Sequence, residues 1–233
     1  EAIARLNHAG WHTVIATNQS GLGRGLFDMA ALNAMHVKMN QQLAVLGGRI
    51  DAVFFCPHAP ADACACRKPA PGLIELIGER YGVHLQDVPV VGDSLRDLQA
   101  GQAMGCPLHL VRTGKSAALN PIQIVQMREF VPEMHVHTDL AAFAEALMSA
   151  EASMQCQAGY GERSDERVNS RNGYRDRRWD TRVGTIDLKV PKLREGSYFP
   201  AWLLTHRRRA GRLFLGRPGA DAPCPLGVAF GSP

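Results

Sequence analysis

Along the first 115 residues, short β-branched apolar runs alternate with stretches whose apolar positions recur at helical spacing. Glu1–Ala9 has that spacing, with Ile3 and Leu6 apolar, and Gly10 supplies a stop. Thr13–Thr17 reads as a short buried strand. A loop over Asn18–Gly25 follows, then a long amphipathic helix over Met29–Leu46. Ala52–Phe55 reads as a second strand and Pro71–Tyr81 as a helix. Val88–Val91 is a third strand running into Gly92-Asp93, Asp97–Met104 a helix, and Leu108–Val111 a fourth strand ending at Arg112-Thr113-Gly114-Lys115. Strands that alternate with helices predict an α/β fold with a parallel sheet covered on both faces. Thr17, Asp93 and Arg112 all fall at the carboxyl ends of predicted strands, the edge where open α/β sheets bind ligands.

The pattern changes near residue 150. Residues 159–182 are dense in Arg, Asp, Asn and Gly with little apolar periodicity, so no regular element is predicted there. Val183–Val190 alternates, with Ile186, Leu188 and Val190 on one side, as a half-buried strand does. From Gly211 the chain is rich in Gly and Pro and unpatterned, which predicts disorder over 211–233. Charge changes at the same place. Residues 1–150 carry 11 Lys/Arg against 13 Asp/Glu, whereas 151–233 carry 15 against 9. A basic segment of this kind suits weak, sequence-independent contact with DNA through 159–210. No apolar run approaches the roughly 18 residues of a membrane span, and no export signal opens the sequence, so no membrane partner and a cytoplasmic setting are expected. In that setting the six cysteines stay reduced and point to metal binding rather than to a disulfide framework.

Three of those cysteines form one cluster, Cys56-Pro-His58 followed by Cys64-Ala-Cys66. Two ligands at i, i+2 and two more at the same spacing form a pair of short clips, and Cys₃His is a standard closed set for structural Zn²⁺. Arg67-Lys68-Pro69 follows at once, so the metal loop would fix two cations in space as a clamp for a phosphoryl group. Thr17-Asn18-Gln19-Ser20-Gly21 offers hydroxyl, amide and backbone donors to phosphate oxygens at a strand end. In Gly92-Asp93-Ser94-x-x-Asp97, Asp93 suits Mg²⁺, a hard cation that takes few protein ligands, and Asp97 is a candidate helix N-terminal acid.

The order of these motifs resembles the haloacid-dehalogenase phosphatases, and more narrowly the heptose 1,7-bisphosphate phosphatases of lipopolysaccharide-core synthesis. The resemblance covers about residues 1–147. Histidinol-phosphate phosphatases share a similar zinc loop, but Val111–Lys115 and Gly92–Leu95 look more like the heptose branch. The resemblance implies that Thr17 holds the transferring phosphoryl group, Lys68 neutralises it, and Asp93 binds Mg²⁺. It further implies substrate contacts from Asn18, Gln19, Ser20 and Arg67, zinc on Cys56, His58, Cys64 and Cys66, a phosphorylated sugar as substrate, and a monomer.

That family opens with a strand ending in Asp-x-Asp-Gly-Thr, whose first Asp attacks phosphorus and whose second is the general acid and base. These 233 residues contain no Asp-x-Asp. The expectation is therefore a truncated domain, short by about forty residues and lacking its central strand, with unpaired strand edges and no turnover. A second resemblance, to mutator-type insertion-sequence transposases, is carried by Gly159–Ser164, Arg171–Arg177, Asp180–Ile186 and Pro191–Pro200. It implies a non-catalytic transposase fragment over 150–210 and an out-of-frame tail over 211–233.

Overall fold

The structure, a computed structural model, describes residues 1–156, 169, 171–181, 184–194 and 228–231. Its first part alternates as the pattern predicts. Helix α1 (Ala2–His8) ends at Gly10, whose φ of +84° is a left-handed value that glycine adopts freely. Strand β1 (Thr13–Asn18) leads to a four-residue helix, α2 (Ser20–Gly23), inside the loop expected to be irregular. Helix α3 (Met29–Val45) is capped by Asp28, whose side chain accepts from the Ala31 N–H at 2.8 Å. Then come β2 (Ala52–Cys56), α4 (Gly72–Tyr81), β3 (Val90–Gly92), α5 (Leu95–Gln102) and β4 (Leu108–Val111). Three further elements follow, α6 (Pro121–Phe130), β5 (His135–His137) and α7 (Leu140–Cys156). The boundary expected at 147–150 falls inside α7.

The main sheet is parallel throughout, in the order β2-β1-β8-β3-β4-β5, where β8 is Val228–Gly231. Both faces are covered, as a parallel sheet requires. Val14, Val90, Leu108 and Leu110 pack with Leu73, Ile74 and Ile77 of α4 and Leu98 of α5 in one core. Val91 and Val111 pack with Leu6, Trp11 and Phe143 from the side of α1 and α7 in a second.

Three expectations are corrected. The unpaired edges expected where the family's central strand is lacking are covered by β8, which sits between β1 and β3 and pairs Val14 with Ala229 on one side and Val90 with Ala229 on the other. Backbone groups on both neighbours thus find partners, and the part of the tail at 228–231 is a strand, while 211–227 lie outside the described residues. Residues 171–181, expected to be irregular, form β6 (Arg171–Thr181), antiparallel to β7 (Gly184–Leu193). Pairing with the apolar-alternating β7 imposes the strand that β6 does not signal by itself. Finally, α3 is only weakly amphipathic in place: Leu32 is its one buried residue, and Met35, Val37 and Val45 are exposed.

Candidate active site and metal centre

Cys56 closes β2 and is fully buried, which fixes one end of the cysteine loop to the sheet. The loop then turns through a short 3-10 segment at Pro60–Asp62, held by the Asp62 carboxylate accepting from the Ala59 N–H at 2.7 Å. Ala63 takes a left-handed φ of +43°, and the chain returns with Cys64 and Cys66 facing Cys56. The Sγ atoms of Cys56 and Cys64 lie 3.5 Å apart, as do those of Cys64 and Cys66. His58 Nδ1 is 3.3 Å from Cys66 Sγ and 3.6 Å from Cys56 Sγ. All four donor atoms fall within 4.8 Å of one another. A tetrahedral ion with Zn–S bonds of about 2.3 Å sets its sulfurs about 3.7 Å apart, so the residues present fit Zn²⁺. Burial and hydrogen bonds with Cys56 and Cys64 push the Cys66 thiol up to about 12.

The loop is bolted to the segment after β1. The Gln19 N–H donates to the Cys56 carbonyl at 2.8 Å and the Gly23 N–H to the Pro57 carbonyl at 2.9 Å. A side chain at Gly23 would sit 2.7 Å from the Pro57 oxygen, so only glycine allows this approach. Asn18 completes the connection, donating to the Lys68 carbonyl and accepting from the Lys68 N–H, each at 3.0 Å. Its amide, a sequence-based candidate for substrate contact, also positions Lys68. Arg67 donates to the His58 carbonyl at 3.3 Å and so ties the metal loop to itself.

Lys68 is 5% exposed and points back into the fold. Its Nζ donates to the Ala16 carbonyl of β1 at 2.7 Å and pairs with Asp97 Oδ1 at 2.5 Å. Asp97 is equally buried, and its other oxygen accepts from the Ser94 hydroxyl at 2.6 Å. Asp97 fits there because Gly92 has no side chain; a Cβ at that position would collide with the Asp97 Cβ. The residue read as a helix N-terminal acid is therefore the buried counter-ion of Lys68. The signal was present as a Gly two residues before the Ser-x-x-Asp turn, but the partner lies 29 positions away in sequence.

Asp93 follows β3 and is buried. Its Oδ2 accepts from the Lys115 N–H at 3.0 Å, across the turn after β4. Its Oδ1 is buried with no hydrogen-bond partner. An orphaned, buried carboxylate oxygen is costly unless a cation completes it, and a hard divalent ion such as Mg²⁺ fits that vacancy in bonding. Gly114 makes room, since its φ is +55° and a Cβ there would run into the Asp93 carboxylate. Thr17 is buried at the end of β1 with its hydroxyl accepting from Gln19 Nε2 at 3.3 Å, and Ser20 begins α2. These contacts join the β1 end, the cysteine loop and the start of α5 through one lysine.

Known proteins match two stretches. The HAD-hydrolase-like family matches residues 65–141, and the Mutator-family transposase matches residues 113–215. Residues 113–141 lie in both; in the structure they supply α6 and β5 of the α/β layer. The D-glycero-beta-D-manno-heptose-1,7-bisphosphate 7-phosphatase of Bordetella bronchiseptica is 53% identical over 148 residues, covering 64% of this chain and 80% of that protein. The same enzyme from Pseudomonas aeruginosa is 46% identical over 149 residues, covering 64% and 80%. The crystal structure of the B. bronchiseptica phosphatase, complexed with magnesium and phosphate, superposes with a TM-score of 0.56 at 51% identity, over 64% of this chain and 80% of that one. The transposase for insertion sequence element IS1081 of Mycobacterium tuberculosis is 64% identical over 73 residues, 31% of this chain and 18% of that protein. Among the described residues no helix is long and apolar enough to cross a membrane. With half of the aligned residues shared and four fifths of the relative's length spanned, this chain belongs to the D-glycero-beta-D-manno-heptose-1,7-bisphosphate 7-phosphatase family of HAD-like hydrolases.

Proposed function

We propose that the α/β part is a phosphate-monoester site for heptose 1,7-bisphosphate whose chemistry these 233 residues do not complete. The observation that carries it is Lys68, buried between the Ala16 carbonyl and Asp97, together with Asp93, whose Oδ1 is buried without a hydrogen-bond partner. Thr17 and Lys68 orient and neutralise a phosphoryl group there. Gln19, Ser20 and Arg67 line the approach, and Asn18 holds Lys68 in place. Mg²⁺ on Asp93 supplies charge neutralisation to the phosphate oxygens. Zn²⁺ on Cys56, His58, Cys64 and Cys66 closes the loop and aims Arg67 and Lys68; a four-ligand closed site has no position for substrate. The family's Asp-x-Asp nucleophile and acid/base pair does not occur in the sequence, so binding without turnover is the expected behaviour. The α/β part acts as a monomer.

Calorimetry with heptose 1,7-bisphosphate and Mg²⁺ tests the site: binding is expected, and Asp93→Asn is expected to abolish its Mg²⁺ dependence. A steady-state assay tests the rest. Phosphate release above a Lys68→Ala control overturns the view that this polypeptide is inactive, and absence of binding overturns the site.

A second reading concerns the basic region, favoured by its similarity to an insertion-sequence transposase. Residues 159–210 make weak electrostatic contact with duplex DNA. Retention on DNA that survives deletion of 159–233 refutes this.

A further inference from the structure

Asp93 takes its orientation from the turn after β4, and a serine closes that turn from within. Ser116 is 0% exposed, and a buried hydroxyl is costly unless it is hydrogen-bonded. Its Oγ donates to the carbonyl of Val111, the last residue of β4, and lies 3.0 Å from the carbonyl of Thr113. The backbone bonds within the turn are longer. The Ser116 N–H reaches the Thr113 carbonyl at 3.2 Å and the Ala117 N–H the Gly114 carbonyl at 3.3 Å. On the outside, Arg112 Nη2 donates to the Leu119 carbonyl at 2.9 Å. The Ser116 hydroxyl is thus the closest link between the turn and the end of the strand.

The turn has no slack towards Asp93. The Lys115 N–H donates to Asp93 Oδ2 at 3.0 Å, and a Cβ at Gly114 would lie 2.1 Å from the same oxygen. Oδ1 receives no hydrogen bond. The terminal torsion of an aspartate is soft, so the bond from Lys115 decides which oxygen is left for a cation. Displacing residues 114–115 would turn the carboxylate with them.

We propose that Ser116 is a positioning residue for the cation at Asp93: its hydroxyl closes the β4 turn, the turn holds the Lys115 N–H on Oδ2, and Oδ1 is left as the ligand oxygen. This rests on the reading of Asp93 as the Mg²⁺ ligand. The bonds of the Ser116 hydroxyl go to Val111 and Thr113, so it acts through the turn and not by contact with the ion. Its contribution is preorganisation. Without the hydroxyl, the carboxylate must be ordered at the moment of binding, which lowers affinity.

The test uses the full chain loaded with zinc, so that the thiolates are occupied, and follows MnCl₂ uptake by electron paramagnetic resonance. Uptake that Asp93→Asn removes is expected in the unmodified protein; its absence overturns the reading of Asp93 and this inference with it. Ser116→Ala is expected to weaken that uptake about tenfold, the lower end of what losing a group that supports a metal ligand costs. Zinc content should not change, and Ser116→Thr, which keeps the hydroxyl, should retain most of the affinity. A folded Ser116→Ala protein that is less stable but binds Mn²⁺ as the unmodified chain does overturns the positioning role while leaving Asp93 as the ligand, and so does a Ser116→Thr protein as weak as Ser116→Ala. Where Ser116→Ala fails to fold, the unmodified protein still decides: the Lys115 amide should exchange slowly and its resonance should move on titration with MgCl₂. A fast-exchanging Lys115 amide, or one indifferent to Mg²⁺, overturns the proposal.

Discussion

Asp97→Asn isolates the Lys68 counter-ion without changing side-chain volume. The structure gives Lys68 two partners, the Ala16 carbonyl and Asp97, and leaves both charged groups about 95% buried. Removing one partner of a buried pair typically costs about 3–5 kcal/mol, because the remaining charge is left desolvated. Asparagine retains a weak acceptor for Lys68, so the lower figure, about 3 kcal/mol, is expected. A domain of this size is stable by only about 5–15 kcal/mol, so the loss is large. Lys68→Met should cost a similar amount by stranding the Asp97 carboxylate on the Ser94 hydroxyl alone. The double variant, with both charges removed, should recover most of the loss. Urea unfolding of the four proteins gives the coupling energy directly. Should Asp97→Asn alone fail to fold, the double variant is still expected to fold. A single-variant cost below about 1 kcal/mol, or a coupling near zero, refutes the reading of Asp97 as the element that holds Lys68, since an exposed or loosely held pair behaves that way.

Other perturbations reach the remaining features. Cys64→Ser should abolish stoichiometric zinc and loosen the segment that carries Arg67 and Lys68, seen as faster amide exchange over residues 57–70; full zinc retention refutes the four-ligand site. Metal-free protein should lose stability as pH falls below about 6.5. The folded His109 is held down to about 3, so between those values the unfolded chain binds a proton that the folded chain refuses, at up to about 1.4 kcal/mol per pH unit. His109→Phe should flatten that slope, and an unchanged slope in the urea midpoint refutes it. Ala229→Pro removes an N–H from a strand paired on both sides and should drive the chain into aggregates on size-exclusion chromatography; a monodisperse variant shows that β8 is dispensable.

Local pattern was enough for most of the frame. β1, β2, β3 and β4 lie within two residues of their predicted bounds, because a strand buried on both faces must be an unbroken apolar run wherever it sits. The cysteine-histidine cluster was equally legible, since two i, i+2 clips eight residues apart, Cys56/His58 and Cys64/Cys66, define the candidate donor set through spacing alone. What escaped depends on partners far along the chain. β5 is three residues with two histidines, too short and polar to signal a strand, and exists because β4 offers it an edge. β6 takes its extended form from pairing with β7, and β8 from the two edges that flank it. The exposure of Met35, Val37 and Val45 on α3 is likewise invisible to periodicity, which says that a face is apolar but not whether anything covers it. Asp97 is the sharpest case. Its place in a helix's first turn is a local fact, whereas its pairing with Lys68 arises only when the cysteine loop folds against the ends of β1 and β3, and burial then turns an ordinary acid into a counter-ion.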